Sequence, residues 1–302
     1  MPFKGSPVYL GERTPERLRS AWNMGSDAIA KNLKRAKTAR RINPFRRRKM
    51  EYEDLVLRTD DGVSLNAWFV HPKEPRDDGL MVLMHHHYLG QKATLIPWIH
   101  LFWELGLPTL SFDARGHADS DPSPEGRGSF AKRAADVRAG LRELERRGAR
   151  RILGYGQSQG AATLVIGASG HPLLAGLILD SGPAPEMGTA AWGLAKVLLG
   201  NVNARDRLAR GILAARIIPG TEPFRYVPKL WGALARARRT PLLWLHGDKD
   251  EVIRPSWSRA WFDRLKTDAW TELGVPGADH VRPYQTDTET VRAAVEALIA
   301  RT

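Results

Sequence analysis

The serine at position 158 lies in a segment that predicts a sharp turn between a β-strand and an α-helix. The residues before the turn, 151–155, are mostly apolar, as in a buried strand, and those after it, 161–168, are apolar and helix-forming. The turn itself, 156–160, reads Gly-Gln-Ser-Gln-Gly, and its glycines stand where a Cβ would strike the strand or the helix. Such a turn pushes the serine hydroxyl out above a sheet edge. The segment therefore predicts an α/β arrangement that presents a nucleophile.

A base must accompany this serine, because an isolated hydroxyl is a poor nucleophile near neutral pH. Three histidines follow it in the chain: His171, His246 and His280. His280 lies in a turn-rich segment after the strand-like residues 270–275 and just before the last predicted helix. We therefore expect His280 to accept the proton of Ser158.

The acid that orients the base is expected in the loop after the apolar strand 241–245. This loop carries three carboxylates, Asp248, Asp250 and Glu251, and position alone leaves all three as candidates. The order along the chain is then serine, acid, histidine, which is one of the few orders known for such a set of groups.

Four motifs in this order resemble the α/β-hydrolase superfamily, in particular single-domain serine esterases and lipases of the lysophospholipase-like kind, over residues 51–302. Besides the serine turn, the motifs that look like the family's DxRGHGxS, HGxxDxxV and GxxH are DARGHADS at 113–120, HGDKDEV at 246–252 and GADH at 277–280. The family usually has a second glycine where this chain has Ala118. The resemblance implies that Asp250 is the acid and that His280 is the base.

The resemblance also implies the fold: an α/β-hydrolase sheet of about eight mostly parallel strands, with helices on both faces and a helical cap insertion. The apolar pattern agrees, because short apolar runs alternate with predicted helices, as in a sheet covered on both faces. An opening β-hairpin is expected at 54–59 and 63–70, and an amphipathic helix at 129–147. The further strands are expected at 81–84, 108–112, 151–155, 176–179 and 242–245.

The oxyanion hole is where the chain departs from this family. Residues 85–90 read His-His-His-Tyr-Leu-Gly, where relatives usually show His-Gly-x-x-Gly. Alignment on Gly90 implies that the backbone N–H of Tyr88, or else that of His87, donates to the oxyanion. The second donor is then the N–H of Gln159, the residue after the nucleophile.

The three consecutive histidines raise the question of a metal site. In an extended segment only His85 and His87 share a face, and a catalytic metal needs three well-placed ligands. No carboxylate lies nearby at a matching spacing. We therefore expect no metal and no cofactor, and we expect these histidines to line a pocket or the core.

The chain is expected to have two parts, an N-terminal extension (1–50) and a catalytic domain (51–302) with a cap insertion at about 182–240. The insertion contains the apolar segments 191–200 and 230–231. We expect it to form a helical cap over an apolar substrate pocket, which favours hydrophobic acyl groups. The alternative is a pair of surface helices without substrate contact.

Positive charge is concentrated in the extension. Residues 1–50 hold 14 Lys or Arg and 3 Asp or Glu, which supplies most of the net charge of +13. Apolar residues recur at helical spacing between Leu18 and Ala36, so a basic amphipathic helix is expected. This pattern favours binding to an anionic membrane surface. The alternatives are nucleic acid, docking on the catalytic domain, and a solvated tail.

These observations together favour a serine hydrolase that acts on small-molecule carboxylic esters, with Ser158, His280 and Asp250 as its triad. The alternatives are an acyltransferase or thioesterase with the same triad, and a noncatalytic membrane-associated binding protein. No apolar run approaches 18 residues, and cysteine is absent. We expect a cytoplasmic protein, at most peripheral on a membrane.

Overall fold

A central eight-stranded sheet organises the computed structural model, which describes residues 42–122, 130–184 and 223–302, together with residues 195, 211–212 and 214–215. The strands are β1 (Tyr52–Arg58), β2 (Ser64–Val70), β3 (Leu80–His85), β4 (Thr109–Phe112), β5 (Arg151–Gln157), β6 (Leu174–Asp180), β7 (Leu242–Gly247) and β8 (Trp270–Val275). Their order across the sheet is β1-β2-β4-β3-β5-β6-β7-β8. The hairpin β1–β2 is antiparallel and also meets β4 antiparallel, whereas all other neighbours are parallel.

Helices cover both faces of this sheet. They are α1 (Pro44–Arg48), α2 (Ile96–Glu104), α3 (Phe130–Arg146), α4 (Gln159–Ala168), α5 (Pro223–Arg236), α6 (Pro255–Leu265), α7 (Pro283–Thr286) and α8 (Thr288–Ile299). The fold class is therefore confirmed. The hairpin lies where the turn signal at 60–62 predicts it, and the amphipathic helix α3 lies where the helical spacing of apolar residues predicts it, each to within two residues at its ends.

The two core clusters are sorted by the alternation of side chains along the strands. Leu83 of β3 points to the face that α3 and α4 cover, and its neighbours Val82 and Met84 point to the face that α2 and α8 cover. Both faces are apolar, so β3 is a continuous apolar run. Three fully buried tryptophans add large apolar area to the core: Trp98, Trp244 and Trp261.

The predicted cap and extension fall largely outside the described residues. Helix α5 lies within the predicted insertion, and its buried side chains Tyr226, Leu230 and Leu234 belong to the same core cluster as α3 and α4. The remaining cap segments, including 191–200 apart from Ala195, and residues 1–41 of the extension lie outside the described part. The division into extension and cap therefore stays a prediction. No helix in the described part of the chain is both long enough and apolar enough to cross a membrane.

Candidate active site

Ser158 occupies the turn between β5 and α4 in a strained backbone conformation, with φ 54° and ψ −115°. This is a region that non-glycine residues seldom adopt, and it costs on the order of 1–3 kcal/mol. The two glycines of the turn allow it. A Cβ on Gly156 would lie 2.7 Å from the Cα of Ala161, and one on Gly160 would collide with the carbonyl oxygens of His85 and His86. The N–terminal end of α4 is thus pressed against the end of β3.

The serine, the histidine and one acid form a series that two hydrogen bonds connect, with the histidine in the middle. Ser158 Oγ is 2.9 Å from His280 Nε2, and His280 Nδ1 is 2.7 Å from Asp250 Oδ2. A carboxylate at Nδ1 holds the proton there, so Nε2 is left as an acceptor facing the serine hydroxyl. Ser158 is 7% exposed and Asp250 2% exposed. The arrangement can deprotonate the serine as it attacks.

Asp250 is held by more partners than the base alone. Its Oδ1 accepts the backbone N–H groups of Val252 and Ile253, each at 2.9 Å. The Nε2–H of His246 donates to the carbonyl of Ile253 at 2.7 Å and lies 3.3 Å from Asp250 Oδ2. Burial acts to raise the pKa of Asp250, but the imidazoles of His280 and His246 outweigh it and hold this pKa well below its usual range. The carboxylate is therefore ionised.

The other candidate acids and histidine lie elsewhere. Asp248 accepts the N–H of Gly277 at 2.7 Å and so fastens the loop below His280, and Glu251 is exposed. His171 precedes β6, with its Nε2 3.4 Å from Glu145. Of the three carboxylates that the sequence leaves open, Asp250 is the one that contacts the base.

A second buried carboxylate, Asp180, lies at the end of β6 beside the serine turn. Its Oδ2 accepts from the hydroxyl of Tyr155 at 2.9 Å and from Nε2 of Gln157 at 3.2 Å. Its backbone carbonyl accepts the N–H of Ser158 at 2.8 Å. Burial raises the pKa of Asp180 despite these donors. Asp180 lies outside every motif that the sequence offers, although a carboxylate that ends the strand next to the serine strand is a detectable signal.

Asp180 also supports the loop of the base. The hydroxyl of Ser181 donates to Asp180 Oδ1 at 2.9 Å and accepts the N–H of Val281 at 2.9 Å. Val281 directly follows His280 and has a φ of 54°, a strained value for a β-branched residue. The Asp180–Ser181–Val281 chain therefore holds the backbone next to the base in place.

The three consecutive histidines form hydrogen bonds within their own loop. His85 and His86 are fully buried. His86 donates from Nδ1 to the carbonyl of His87 at 2.7 Å and accepts the N–H of Ala114 at Nε2 at 3.0 Å, which fixes the neutral Nδ1–H form. Nδ1 of His85 donates to the carbonyl of His86 at 3.0 Å.

All three imidazoles resist protonation, because His85 and His86 are fully buried and His87 is half-buried. Burial, followed by the charge of Arg133, lowers the pKa of His85 to about 3. Burial also lowers the pKa of His87 to about 3, with a smaller effect of His280, and it lowers the pKa of His86 well below its usual range. In the described part of the chain, no three metal-ligating side chains are grouped to hold an ion.

The candidate oxyanion donors lie at the start of this loop and at the start of α4. The ring of His87 folds over Gly90, where a Cβ would come within 3.0 Å of it, and the N–H of Gly90 donates to the carbonyl of His87. His87, at the position where relatives have glycine, is thus accommodated by a tight turn. The N–H groups of His87 and Tyr88 have no acceptor among the described residues.

The DARGHADS segment braces the loops around the site. Asp113 accepts from the backbone N–H of Lys92 at 2.7 Å and from its ammonium at 2.5 Å. Arg115 is buried between Asp61 and Asp136. Ala118 has a φ of 39°, a left-handed conformation in which glycine is favoured. This backbone conformation explains the second glycine that the family usually has there.

Comparison with known proteins agrees with this fold. Residues 82–294 match the family model described as "Alpha/beta hydrolase family". A curated relative, Protein bem46 of Schizosaccharomyces pombe, is 24% identical over 214 residues, which are 68% of this chain and 63% of that protein. The match therefore spans less than two thirds of the length of that relative.

Solved structures of hydrolases share the architecture. The esterase Pf2001 of Pyrococcus furiosus superposes with a TM-score of 0.67 at 19% identity, covering 100% of this chain and 99% of that one. An alpha/beta hydrolase from Novosphingobium aromaticivorans gives a TM-score of 0.57 at 19% identity, covering 83% and 99%. At such identities the likeness shows the fold, and the family match supports hydrolase activity. The resemblance seen in the sequence motifs is confirmed: this chain belongs to the α/β-hydrolase family.

Proposed function

We propose that the chain is a serine hydrolase that cleaves carboxylic esters through an acyl-enzyme on Ser158. The observation that carries this proposal is the hydrogen-bonded series from Ser158 through His280 to Asp250. Three groups in such a series supply a nucleophile, a base and the carboxylate that orients the base.

In the proposed mechanism, Ser158 Oγ attacks the acyl carbonyl while its proton passes to His280 Nε2. The oxyanion of the tetrahedral intermediate accepts the N–H of Gln159 and that of Tyr88 or His87. The C–O bond to the alcohol then breaks, and His280 gives its proton to the leaving oxygen. Water repeats the sequence on the acyl-enzyme, with His280 as base, and releases the acid.

The ionised Asp250 has two effects in this mechanism. It keeps the Nδ1–H form of His280, so that Nε2 faces the serine, and it stabilises the imidazolium that forms on proton transfer. The imidazoles hold the pKa of Asp250 low against the effect of burial, so Asp250 is ionised when His280 acts as the base.

A hydrophobic acyl group is the proposed substrate class. The predicted cap insertion is rich in apolar residues. A small buried apolar cluster of Ala184, Val252 and Ile253 lies beside the acid loop and is consistent with an apolar surrounding for the acyl chain.

The test is hydrolysis of p-nitrophenyl esters of increasing chain length by the full chain and by Ser158→Ala, with Ser169→Ala as the matched control at the end of α4. We expect a rate that peaks at one chain length, is lost in Ser158→Ala and is unchanged in Ser169→Ala. A fluorophosphonate probe should label the wild type and not Ser158→Ala.

The alternatives predict other results. Cleavage of thioesters in preference to esters would indicate a thioesterase, and transfer of the acyl group to an added alcohol would indicate an acyltransferase. Absence of both labelling and turnover would overturn the proposal and favour a noncatalytic binding protein.

We further propose that the basic extension brings the chain to an anionic membrane surface. Its described end supports this proposal, because Ile42 and Phe45 are 43% and 51% exposed and Arg46, Arg47 and Arg48 are exposed next to them. Exposed apolar side chains beside cations suit the interface of an anionic bilayer.

Co-flotation with vesicles tests this second proposal. We expect the full chain to bind vesicles of phosphatidylcholine with phosphatidylglycerol, not those of phosphatidylcholine alone, and to be released by salt. Removal of residues 1–41 combined with Arg46→Gln, Arg47→Gln and Arg48→Gln should abolish binding. Equal binding by this variant would refute the proposal.

A further inference from the structure

We propose that Arg133 is a positioning residue for the oxyanion hole, an inference that rests on the proposed function of Ser158. Arg133 lies in the first turn of α3, and its side chain is completely buried. Its contacts reach both segments that would donate to the oxyanion.

The first contact is with the residue that follows the nucleophile. Nη1 of Arg133 donates to Oε1 of Gln159, whose side chain is also buried. The backbone N–H of Gln159 is the candidate donor at the start of α4. A hydrogen bond to its side chain from a separate helix restricts how this residue, and with it the donor, can move.

The second contact passes through His117 to the other donor segment. Nη2 of Arg133 is 3.0 Å from Nε2 and 3.1 Å from Nδ1 of His117, so it lies across the ring rather than in line with one nitrogen. His117 Nε2 in turn donates to the carbonyl of Tyr88 at 2.8 Å. The guanidinium carbon also lies 6.0 Å from the centre of the Tyr88 ring, at the edge of cation–π range.

Arg133 therefore joins two backbone segments that otherwise belong to different loops. One segment begins α4, and the other follows β3. A planar guanidinium can contact both partners at once because its N–H groups are held in a fixed fork, which an ammonium cannot reproduce. Donors aligned before the reaction stabilise the oxyanion without reorganising when charge develops.

Electrostatics point the same way. Burying a guanidinium costs several kcal/mol unless other groups compensate for its lost hydration. The charge of Arg133 helps to lower the pKa of His85, which lies at the base of the donor loop, so this charge is felt beside the segment that carries the candidate donors. We infer that Arg133 acts on the transition state more than on the bound ester.

Kinetics of the full chain test this inference. With an ester that the wild type hydrolyses, we expect Arg133→Met to lower kcat by about 10- to 100-fold, less than the loss of a whole oxyanion donor, with KM within about twofold. The kcat of Arg133→Lys should lie between those of the wild type and Arg133→Met, because lysine keeps the charge but loses the fixed fork of N–H groups. The matched control is Arg147→Met, just beyond the other end of α3, which removes a largely buried arginine that pairs with Glu53 and Glu143 away from the site.

The inhibition constant of a trifluoromethyl ketone with the same acyl chain distinguishes a positioning role of Arg133 from a merely structural one. This constant should rise in Arg133→Met by the same factor as kcat/KM falls, because the ketone mimics the tetrahedral intermediate. Arg147→Met should lower the melting temperature and leave this constant within about threefold. Gln159→Met should give less than additive losses with Arg133→Met, as expected for contacting residues.

The outcomes separate the two proposals. If Arg133→Met keeps the wild-type kcat and inhibition constant, or if Arg147→Met loses both equally, the positioning role is wrong while the esterase proposal stands. If the wild type itself neither hydrolyses esters nor reacts with the probe, both proposals fail. Should Arg133→Met not fold, Arg133→Lys and Gln159→Met, which conserve volume, decide between the same outcomes.

Discussion

The two sides of Ser158 differ in their chemical groups, with side chains on one side and backbone N–H groups on the other. On one side His280 and Asp250 reach the serine with charged or chargeable side chains, in a line of hydrogen bonds of 2.9 and 2.7 Å. On the other side the candidate donors are backbone N–H groups, which neutral buried imidazoles and Arg133 surround. The first side depends on the identity of a few atoms. The second depends on the direction of the backbone, which no single side-chain deletion removes.

The two sides should therefore fail differently when they are altered. A change on the acid–base side removes a chemical group and should lower kcat by orders of magnitude. A change on the backbone side only displaces donors and should cost less in rate and more in stability.

The largest effect is expected on the acid–base side. Asp250→Asn should lower kcat by about 10,000-fold, because an amide no longer imposes the Nδ1–H form of His280 or stabilises its imidazolium. Asp248→Asn is the matched control on the same loop, and its rate should stay within a few fold of the wild type. Steady-state rates on a p-nitrophenyl ester give the comparison. Similar losses in the two variants would show that Asp250 is not the acid that orients His280.

A smaller effect is expected at the support of the base. Ser181→Ala removes the acceptor of the Val281 N–H and should lower kcat by up to about 100-fold through displacement of His280. Tyr155→Phe, on the opposite oxygen of Asp180, should instead destabilise the protein by about 1–3 kcal/mol with little loss of kcat. Urea unfolding and initial rates separate the two effects. A Tyr155→Phe variant as slow as Ser181→Ala would contradict the proposed chain of support.

The buried imidazole of His85, on the side of the backbone donors, should make the free energy of unfolding depend on pH. The folded pKa of His85 is about 3, below the value of 6.5 in an unfolded chain, so the unfolded state binds more protons between these values. The free energy of unfolding should therefore fall as pH drops below 6.5, by up to about 1.4 kcal/mol per unit for this residue. His85→Asn keeps a donor near the carbonyl of His86 and should reduce that slope in urea titrations at pH 7.0, 6.0 and 5.0. An unchanged slope would show that His85 is not a source of this pH dependence.

The smallest effect is expected at Ala118. Ala118→Gly should relieve a left-handed conformation worth roughly 1–2 kcal/mol, while glycine adds roughly 0.5–1 kcal/mol of chain entropy. The net result is a protein that is as stable as the wild type or up to about 1.5 kcal/mol more stable. Ala293→Gly, at an exposed position inside α8, should instead cost about 1 kcal/mol. A thermal melt in which both variants lose the same stability would contradict the role assigned to this turn.

The same contrast explains which parts of the site can be predicted from sequence. Ser158 and His280 are detectable because the glycine turn and the loop before the last helix have patterns that few other structures share. Asp250 needs the family motif, since Asp248 and Glu251 stand beside it and only the turn geometry separates them. Asp180 and Arg133 were missed because their roles arise from neighbours distant in the chain. The strands of the sheet were predicted well because the short apolar runs that mark them are local in the sequence. The order of the strands depends on contacts between residues that are far apart in the chain.

The contact between Gly160 and the carbonyls of His85 and His86 has a consequence for engineering. Because no side chain separates them, the nucleophile turn and the histidine loop form a matched pair of surfaces. A graft of either segment alone from another hydrolase would bring an unmatched backbone to this seam. New specificities are therefore more accessible by exchanging the two segments together, or by redesigning residues remote from the seam, than by transplanting one loop.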